Sequence, residues 1–112
     1  MLYILNSAVI TTPGKYSYRL IDREYAIDLL ASNQWISTIG YESTAKAMSE
    51  LVGMEIPLNR VTIRMKAGDI AIVFRIVLPE GAERIDPKDK GQLNKIIDKG
   101  WWELGLLEKL SE

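Results

Sequence analysis

The chain contains no histidine and no cysteine. Without histidine it lacks the side chain that normally titrates near neutrality, the usual general acid or base of hydrolases, and the imidazole ligand of zinc sites. Without cysteine it has no disulfide, no thiolate nucleophile and no thiolate-bound metal, as is typical of proteins in a reducing interior. We therefore expect no metal and no cofactor, and a conventional hydrolase would have to work with carboxylates.

The chain also lacks a surplus of either charge and a long apolar run. Its 14 basic and 15 acidic residues give a net charge of -1, which argues against duplex nucleic acid or an anionic membrane as partner. The opening run MLYILNSAVI is about ten residues long, has no basic leader and includes Asn6 and Ser7, as in a buried strand rather than a signal peptide or membrane span. We expect a cytoplasmic protein that is not inserted in a membrane.

The length and patterning of the chain predict its architecture. With 112 residues, 47% of them hydrophobic, residues 1–112 are expected to form a single domain. The patterning predicts strands over 2–10, 16–20 and 101–110, helices over 23–32, 42–52 and 88–99, and a loop over 34–40. These elements predict an α+β fold, in which helices pack on a mixed sheet of about five strands.

A β-hairpin is predicted around Ala67-Gly68, where a two-residue turn would pair Lys66 with Asp69. One face of the hairpin is then wholly apolar, and it comprises Val61, Ile63, Met65, Ile70, Ile72 and Phe74. The other face places Arg60 opposite Arg75, a pairing of like charges that is unfavourable unless an anion, a carboxylate or solvent separates them. A sheet face without helices also needs a cover, and a two-fold homodimer is the simplest one.

Tyr41 stands immediately before the predicted helix 42–52. Free backbone N–H groups and the helix dipole favour a phosphate at such a position. A phenol with a pKa of about 10 stays protonated at neutral pH and can donate a hydrogen bond, although it is a poorer acid than imidazolium by roughly 3 to 4 units. The alternative is that Tyr41 is a hydrophobic staple that covers the start of the helix.

Four motifs, taken in order, carry a resemblance to a known family: LYILNSA at 2–8, IGYESTA at 39–45, PLNRV at 57–61 and LPEG at 78–81. Together they resemble the small viral and mobile-element proteins catalogued as domain of unknown function 1874, whose studied members are viral ring nucleases that act as type III anti-CRISPR proteins. The resemblance implies a homodimer that binds cyclic tetra-adenylate, the second messenger of type III CRISPR defence, in a cleft across the two-fold axis. It also implies cleavage without metal, by attack of a ribose 2'-hydroxyl on the adjacent phosphate.

The resemblance also implies roles for individual residues. The family usually has a histidine after the glycine of its second motif, where it protonates the leaving 5'-oxygen, and that position is Tyr41 here. The arginine that normally precedes LPEG is replaced by Val77, whereas the active-site glutamate is retained as Glu80. Residues expected to contact the ligand are Asn6, Ser7, Gly40, Ser43, Thr44, Arg60 and Arg75.

Purely structural roles are open for the same residues. Polar groups within the first strand can be satisfied by neighbouring backbone. Ser43 and Thr44 are ordinary residues for the first turn of a helix. Arg60 and Arg75 can be solvated surface charges.

Two main functional hypotheses follow, together with the carboxylate hydrolase as a third. The first is a cyclic-oligoadenylate binder that counters type III CRISPR signalling from the cytoplasm, the host cytoplasm if the protein is viral, with weak or lost ring-nuclease activity. The second is a module that kept the fold and binds a protein or a nucleic acid without nucleotide turnover, because a fold does not determine a function.

Overall fold

The computed structural model describes residues 1–6, 11–81 and 90–112. Their elements are β1 (Leu2–Leu5), β2 (Lys15–Ile21), α1 (Arg23–Ser32), β3 (Trp35–Ser37), α2 (Glu42–Val52), β4 (Ile70–Ile76), α3 (Lys90–Lys99) and β5 (Trp102–Ser111). The five strands form one sheet in the order β2-β5-β4-β1-β3. Strand β1 pairs in parallel with β3 and β4, and β5 runs antiparallel to β4 and β2. The predicted α+β fold with a five-stranded mixed sheet is confirmed.

The helices follow the local sequence signals. Helix α1 has the predicted bounds, and the Asp22 carboxylate accepts a hydrogen bond from the Tyr25 N–H at 2.7 Å, as an N-cap should. Helix α2 also has its predicted bounds and ends at Gly53, whose φ of 69° places it in the left-handed region that favours glycine. Helix α3 is described from residue 90, so the predicted start at 88 lies outside the described residues.

The predicted hairpin is wrong. Strand β4 pairs with β1 and β5, and residues 55–66 form no strand. Only the turn is present, because the Asp69 N–H donates to the Lys66 carbonyl and the Lys66 N–H donates to the Asp69 carboxylate, each at 2.9 Å. Arg75 is consequently paired across the sheet with Glu103 and not with Arg60.

The alternating residues before that turn pack on the sheet instead of joining it. We call residues 57–66 the crossing segment. Its Ile63 and Met65 contact a cluster that includes Val73 on the face opposite the helices, whereas Ile72 and Phe74 belong to the cluster under the helices. The prediction that all four side chains share one face is therefore wrong. A second subunit is the predicted cover of the sheet face without helices. The crossing segment covers part of that face.

Two further strand predictions need correction. Strand β3 lies inside the segment predicted to be a loop. The sequence pattern did not reveal this strand, because three residues are too few to show a period of two. Strand β1 ends at Leu5, and residues 7–10 of the predicted strand lie outside the described residues. The predictions for the second and last strands are confirmed, and β2 and β5 pair along their length.

A polar network at the end of β5 holds the far end of the crossing segment. The Lys109 ammonium is only 1% exposed. It donates to the Thr12 hydroxyl at 2.7 Å, to the Met65 carbonyl at 3.2 Å and to the Glu112 carboxylate at 3.0 Å. Burial would raise the pKa of the adjacent Tyr16 phenol, but hydrogen bonds with Thr12 and the Lys109 charge together lower it. Each charged or polar group in this network has a partner, as burial requires.

Candidate functional site

The sheet topology places a crevice at the carboxyl end of β1. Strand β1 lies between β3 and β4, and these three strands are parallel. After β1 the chain passes to β2 at the far edge of the sheet, then to β3 on the other side of β1, and only then to β4. In open α/β sheets ligands bind in the crevice outside the carboxyl ends of the parallel strands, and β1, β3 and β4 form such an edge here.

A pocket with a volume of 310 Å³ lies at that edge. Its lining residues come from the end of β1, the loop after β3, the crossing segment and Thr11, and among the described residues they are Leu5, Asn6, Thr11, Thr38, Val61, Thr62 and Ile63. The lining combines apolar surface with an amide and three hydroxyl groups. Asn6 was predicted to contact ligand, and the structure places it here. Ser7 lies outside the described residues.

Gly40, Tyr41 and Arg60 come together, and they adjoin in the chain the loop and crossing-segment residues that line this pocket. The Arg60 guanidinium donates through Nη2 to the Gly40 carbonyl at 3.1 Å, and its carbon lies 5.4 Å from the centre of the Tyr41 ring. A Cβ at residue 40 would lie 3.1 Å from the Arg60 Nε, which is a tight contact. Glycine thus allows Arg60 to approach the backbone just before α2.

The crossing segment is fixed to the end of β3 by side-chain hydrogen bonds. Asn59 donates through Nδ2 to the Ser37 carbonyl at 2.8 Å and through its backbone N–H to the Ile39 carbonyl at 2.9 Å. The Ser37 hydroxyl, which is 2% exposed, donates to the Pro57 carbonyl at 2.7 Å. The PLNRV motif therefore lies directly against the loop that leads to Tyr41.

The start of α2 offers the site backbone N–H groups more than side chains. Tyr41 occupies the N-cap position without a side-chain capping bond. Ser43 and Thr44 are each 4% exposed, and neither lines the pocket. Their burial agrees with an ordinary structural role in the first turn of the helix, and their contact with a ligand stays a prediction.

Two other predicted residues lie on or just after β4 and are not among the lining residues of the pocket. The Arg75 guanidinium forms an ion pair with the Glu103 carboxylate at 2.6 Å. Glu80 is exposed in the turn after β4, and the nearby Val77 side chain is 42% exposed. Arg75 lies near the carboxyl end of β4, and Glu80 lies in the turn that follows. Because β4 is parallel to β1, this end of β4 is at the same edge of the sheet as the pocket.

Several lining residues were missed by the sequence analysis. Thr11, Thr38 and Thr62 reach the pocket from three separate segments, and no motif links them. Asn59, within the PLNRV motif, was not predicted to take part, although an amide beside an arginine in a short motif is a usable signal. Within the described ranges, no three carboxylate side chains gather as a metal site would require, and no helix is long and apolar enough to cross a bilayer.

The chain matches the model of the STIV B116-like family over residues 2–88, more than half of its length. The chain belongs to the STIV B116-like family. The matched region includes the pocket, Tyr41 and the crossing segment, while β5 lies beyond it.

Viral relatives of this family member agree with that assignment. Uncharacterized protein 26 of Sulfolobus islandicus filamentous virus (isolate Iceland/Hveragerdi) is 40% identical over 88 residues, which cover 72% of this chain and 74% of the relative. Uncharacterized protein ORF117 of Acidianus two-tailed virus is 28% identical over 81 residues, which cover 68% of this chain and 69% of the relative. The chain thus groups with viral proteins.

A solved structure shares the fold of this family member. B116 of Sulfolobus turreted icosahedral virus superposes with a TM-score of 0.69 at 21% sequence identity, and the match covers 96% of this chain and 97% of B116. At this identity the likeness supports the architecture alone.

Proposed function

We propose that this viral protein binds a cyclic oligoadenylate, with cyclic tetra-adenylate as the first candidate, and thereby counters type III CRISPR signalling. The observation that carries the proposal is the group formed by Gly40, Tyr41 and Arg60 beside the pocket that contains Asn6. These residues come from three of the four motifs that resemble the ring nucleases. Their proximity in the fold is what a shared ligand site requires.

The chemistry of the site suits a cyclic oligonucleotide. A guanidinium beside a helix N-terminus is a strong binding group for a phosphate, because both present N–H donors and positive potential. The hydroxyl and amide groups of the pocket can hydrogen-bond ribose or a base edge, and Leu5, Val61 and Ile63 offer apolar surface to a base. Binding therefore needs no metal.

Cleavage is expected to be slow or absent. In the proposed reaction a ribose 2'-hydroxyl loses its proton to solvent as its oxygen attacks the adjacent phosphorus, and the bond to the 5'-oxygen breaks. The products are a 2',3'-cyclic phosphate and a 5'-hydroxyl, so the 5'-oxygen must receive a proton. Tyr41 stands where the resembled family has its acid, and a phenol donates a proton poorly near neutrality. Val77 stands where the resembled family has its phosphate-binding arginine. A site that holds the ring in line would still give some rate by geometry alone, with Glu80 as the retained glutamate.

The proposal includes a homodimer in the host cytoplasm. A ring-shaped ligand with two-fold symmetry is matched by a two-fold pair of identical sites. Light scattering at micromolar concentration should therefore give the mass of two chains. A mass of one chain, with and without the nucleotide, would contradict the shared cleft.

The deciding experiment is incubation with labelled cyclic tetra-adenylate, in which both retained ligand and products are resolved. We expect retention with little product. Linear tetra-adenylate is the control, because it carries the same bases without the ring. If the protein retains the cyclic and the linear nucleotide equally, or retains neither, the result would argue against the proposal. It would favour the interaction module that kept the fold and changed its ligand.

A further inference from the structure

We propose that Asn59 is a positioning residue for this site, which acts by holding Arg60 against Gly40 and Tyr41. The part of the inference that concerns ligand rests on the proposed function. The part that concerns the position of Arg60 does not.

Asn59 connects the crossing segment to the loop after β3 at two points. Its side-chain amide and its backbone N–H donate to the Ser37 and Ile39 carbonyls, at 2.8 and 2.9 Å. Both acceptors lie in the short stretch that continues to Gly40 and Tyr41. The two bonds therefore set the distance between the backbone of the PLNRV motif and the residues that Arg60 contacts.

The backbone after Asn59 then sets the direction of the arginine. The Val61 N–H donates to the Asn59 carbonyl at 3.0 Å, which closes a three-residue turn with Arg60 in the middle. No residue other than glycine has a positive φ in the described residues, so the turn is of the common inverse type. A turn of this kind fixes φ and ψ of its central residue, and the Arg60 side chain leaves the backbone toward the Gly40 carbonyl.

A second residue strengthens the same connection. The buried Ser37 hydroxyl donates to the Pro57 carbonyl at 2.7 Å and accepts from the Ile39 N–H at 3.2 Å. Arg60 itself is exposed, so few packing contacts restrict its long side chain. Without the side-chain bond of Asn59, only its backbone bond to Ile39 would hold this part of the crossing segment. The guanidinium would then sample more positions, and a phosphate would have to order it on binding.

The test compares Asn59→Ala with Asn33→Ala in the full chain. Asn33 is the matched control, because its side-chain amide also donates to a backbone carbonyl, that of Leu29 at 2.9 Å, at the C-terminal end of α1. Both variants lose one amide donor, so a general effect on folding should appear in both melting temperatures. If Asn59→Ala fails to fold, Asn59→Gln keeps an amide but displaces it by one methylene and serves in its place.

The first readout needs no ligand. The Arg60 side chain lies over the Tyr41 ring, so its Nε–Hε and Cδ–H signals should show a ring-current shift in the NMR spectrum, and Tyr41→Leu identifies that shift by abolishing it. We expect Asn59→Ala to remove most of the shift and Asn33→Ala to leave it. An unchanged shift in Asn59→Ala overturns the proposal, whether or not any nucleotide binds.

The second readout is a double-mutant cycle with cyclic tetra-adenylate as the probe. Asn59→Ala should weaken binding about tenfold in the wild-type background and leave it unchanged when Arg60 is already alanine, because residues that act through one another are not additive. Equal losses in both backgrounds would show a role independent of Arg60. If wild-type protein does not bind the probe, the proposed function fails, and the ring-current comparison alone decides the role of Asn59.

Discussion

The Arg60 guanidinium carbon lies 5.4 Å from the centre of the Tyr41 ring, and Nη2 of the same side chain is bonded to the Gly40 carbonyl. A cation is attracted to the face of a neutral aromatic ring, by about 0.5–1 kcal/mol at an exposed site. An imidazolium in the place of Tyr41 would instead be repelled by the guanidinium. The phenol is therefore a better neighbour for Arg60 than a protonated histidine at the same position would be.

Replacing Tyr41 by histidine should raise ring cleavage and make it dependent on pH. We expect Tyr41→His to increase the single-turnover rate by roughly 10² to 10⁴, as a well-placed acid does. The gain should be larger at pH 6 than at pH 8, because the Arg60 charge disfavours imidazolium. Val77→Arg should add to it, so both variants and their combination are assayed. If Tyr41→Phe cleaves as fast as wild type, Tyr41 takes no part in the chemistry.

The two arginines should differ in their contribution to binding. Arg60→Ala should weaken binding of cyclic tetra-adenylate by roughly 10- to 100-fold, because a hydrogen bond to a charged group contributes about 1.5–3 kcal/mol. Arg75→Ala removes the same charge, but this guanidinium already pairs with Glu103 at 2.6 Å, so we expect a change of less than about threefold, within the small range of exposed ion pairs. Titration calorimetry on both variants measures the difference. Equal losses would indicate that only overall charge matters.

Adding one methyl group at Gly40 should affect binding more than stability. A Cβ there would lie 3.1 Å from the Arg60 Nε, and the flexible arginine is the group that can move. We expect Gly40→Ala to lower affinity for the nucleotide and to change the melting temperature little. Gly53→Ala is the contrasting variant, because that residue has a φ of 69° and no atom within 4 Å of its Cβ position. It should lower stability, by about 1 kcal/mol, and leave affinity unchanged. The reverse pattern would contradict the arrangement of Arg60.

Removal of the two charges near the end of β5 should have unequal effects. Glu112→Gln leaves the Lys109 ammonium buried without a counter-ion, whereas Lys109→Met leaves a Glu112 side chain that is 70% exposed and stays hydrated. A buried unpaired charge is the costlier outcome. Thermal unfolding at pH 7 should therefore show a lower midpoint for Glu112→Gln than for Lys109→Met, and the double variant should resemble Lys109→Met. Equal midpoints would show that Lys109 is hydrated in solution.

Asp69 should contribute stability that is lost in acid. Burial would raise the pKa of its carboxyl, but the Lys66 N–H and the N-terminal ammonium outweigh burial and hold this pKa below its ordinary value of 3.8. Because the native pKa is depressed, the contribution is present above the unfolded pKa and disappears as the pH falls through the native one. Urea unfolding of wild type and Asp69→Asn should therefore converge below about pH 4. Asp28→Asn, at an exposed position of α1, is the control, and a constant difference at all pH values would contradict this account.

The sequence by itself determined the three helices and, for α1 and α2, both of their ends. Asp22 and Gly53 act within one or two turns of chain, so their capping roles follow from local chemistry. Apolar alternation likewise located β2, β4 and β5 and the α+β class. The motifs pointed to Asn6, Tyr41 and Arg60 as members of one site, because such a resemblance is carried by the residues themselves.

Only the tertiary structure decided which segments meet. An alternating segment can pair with a neighbouring strand or pack on a sheet face, and the residues before Ala67 do the second, since β4 already has β1 and β5 as partners. Strand β3 exists through its pairing with β1 and leaves no local pattern. The contact of Arg60 with Tyr41 joins two segments that are distant in the chain, and such a contact has no local sequence signal.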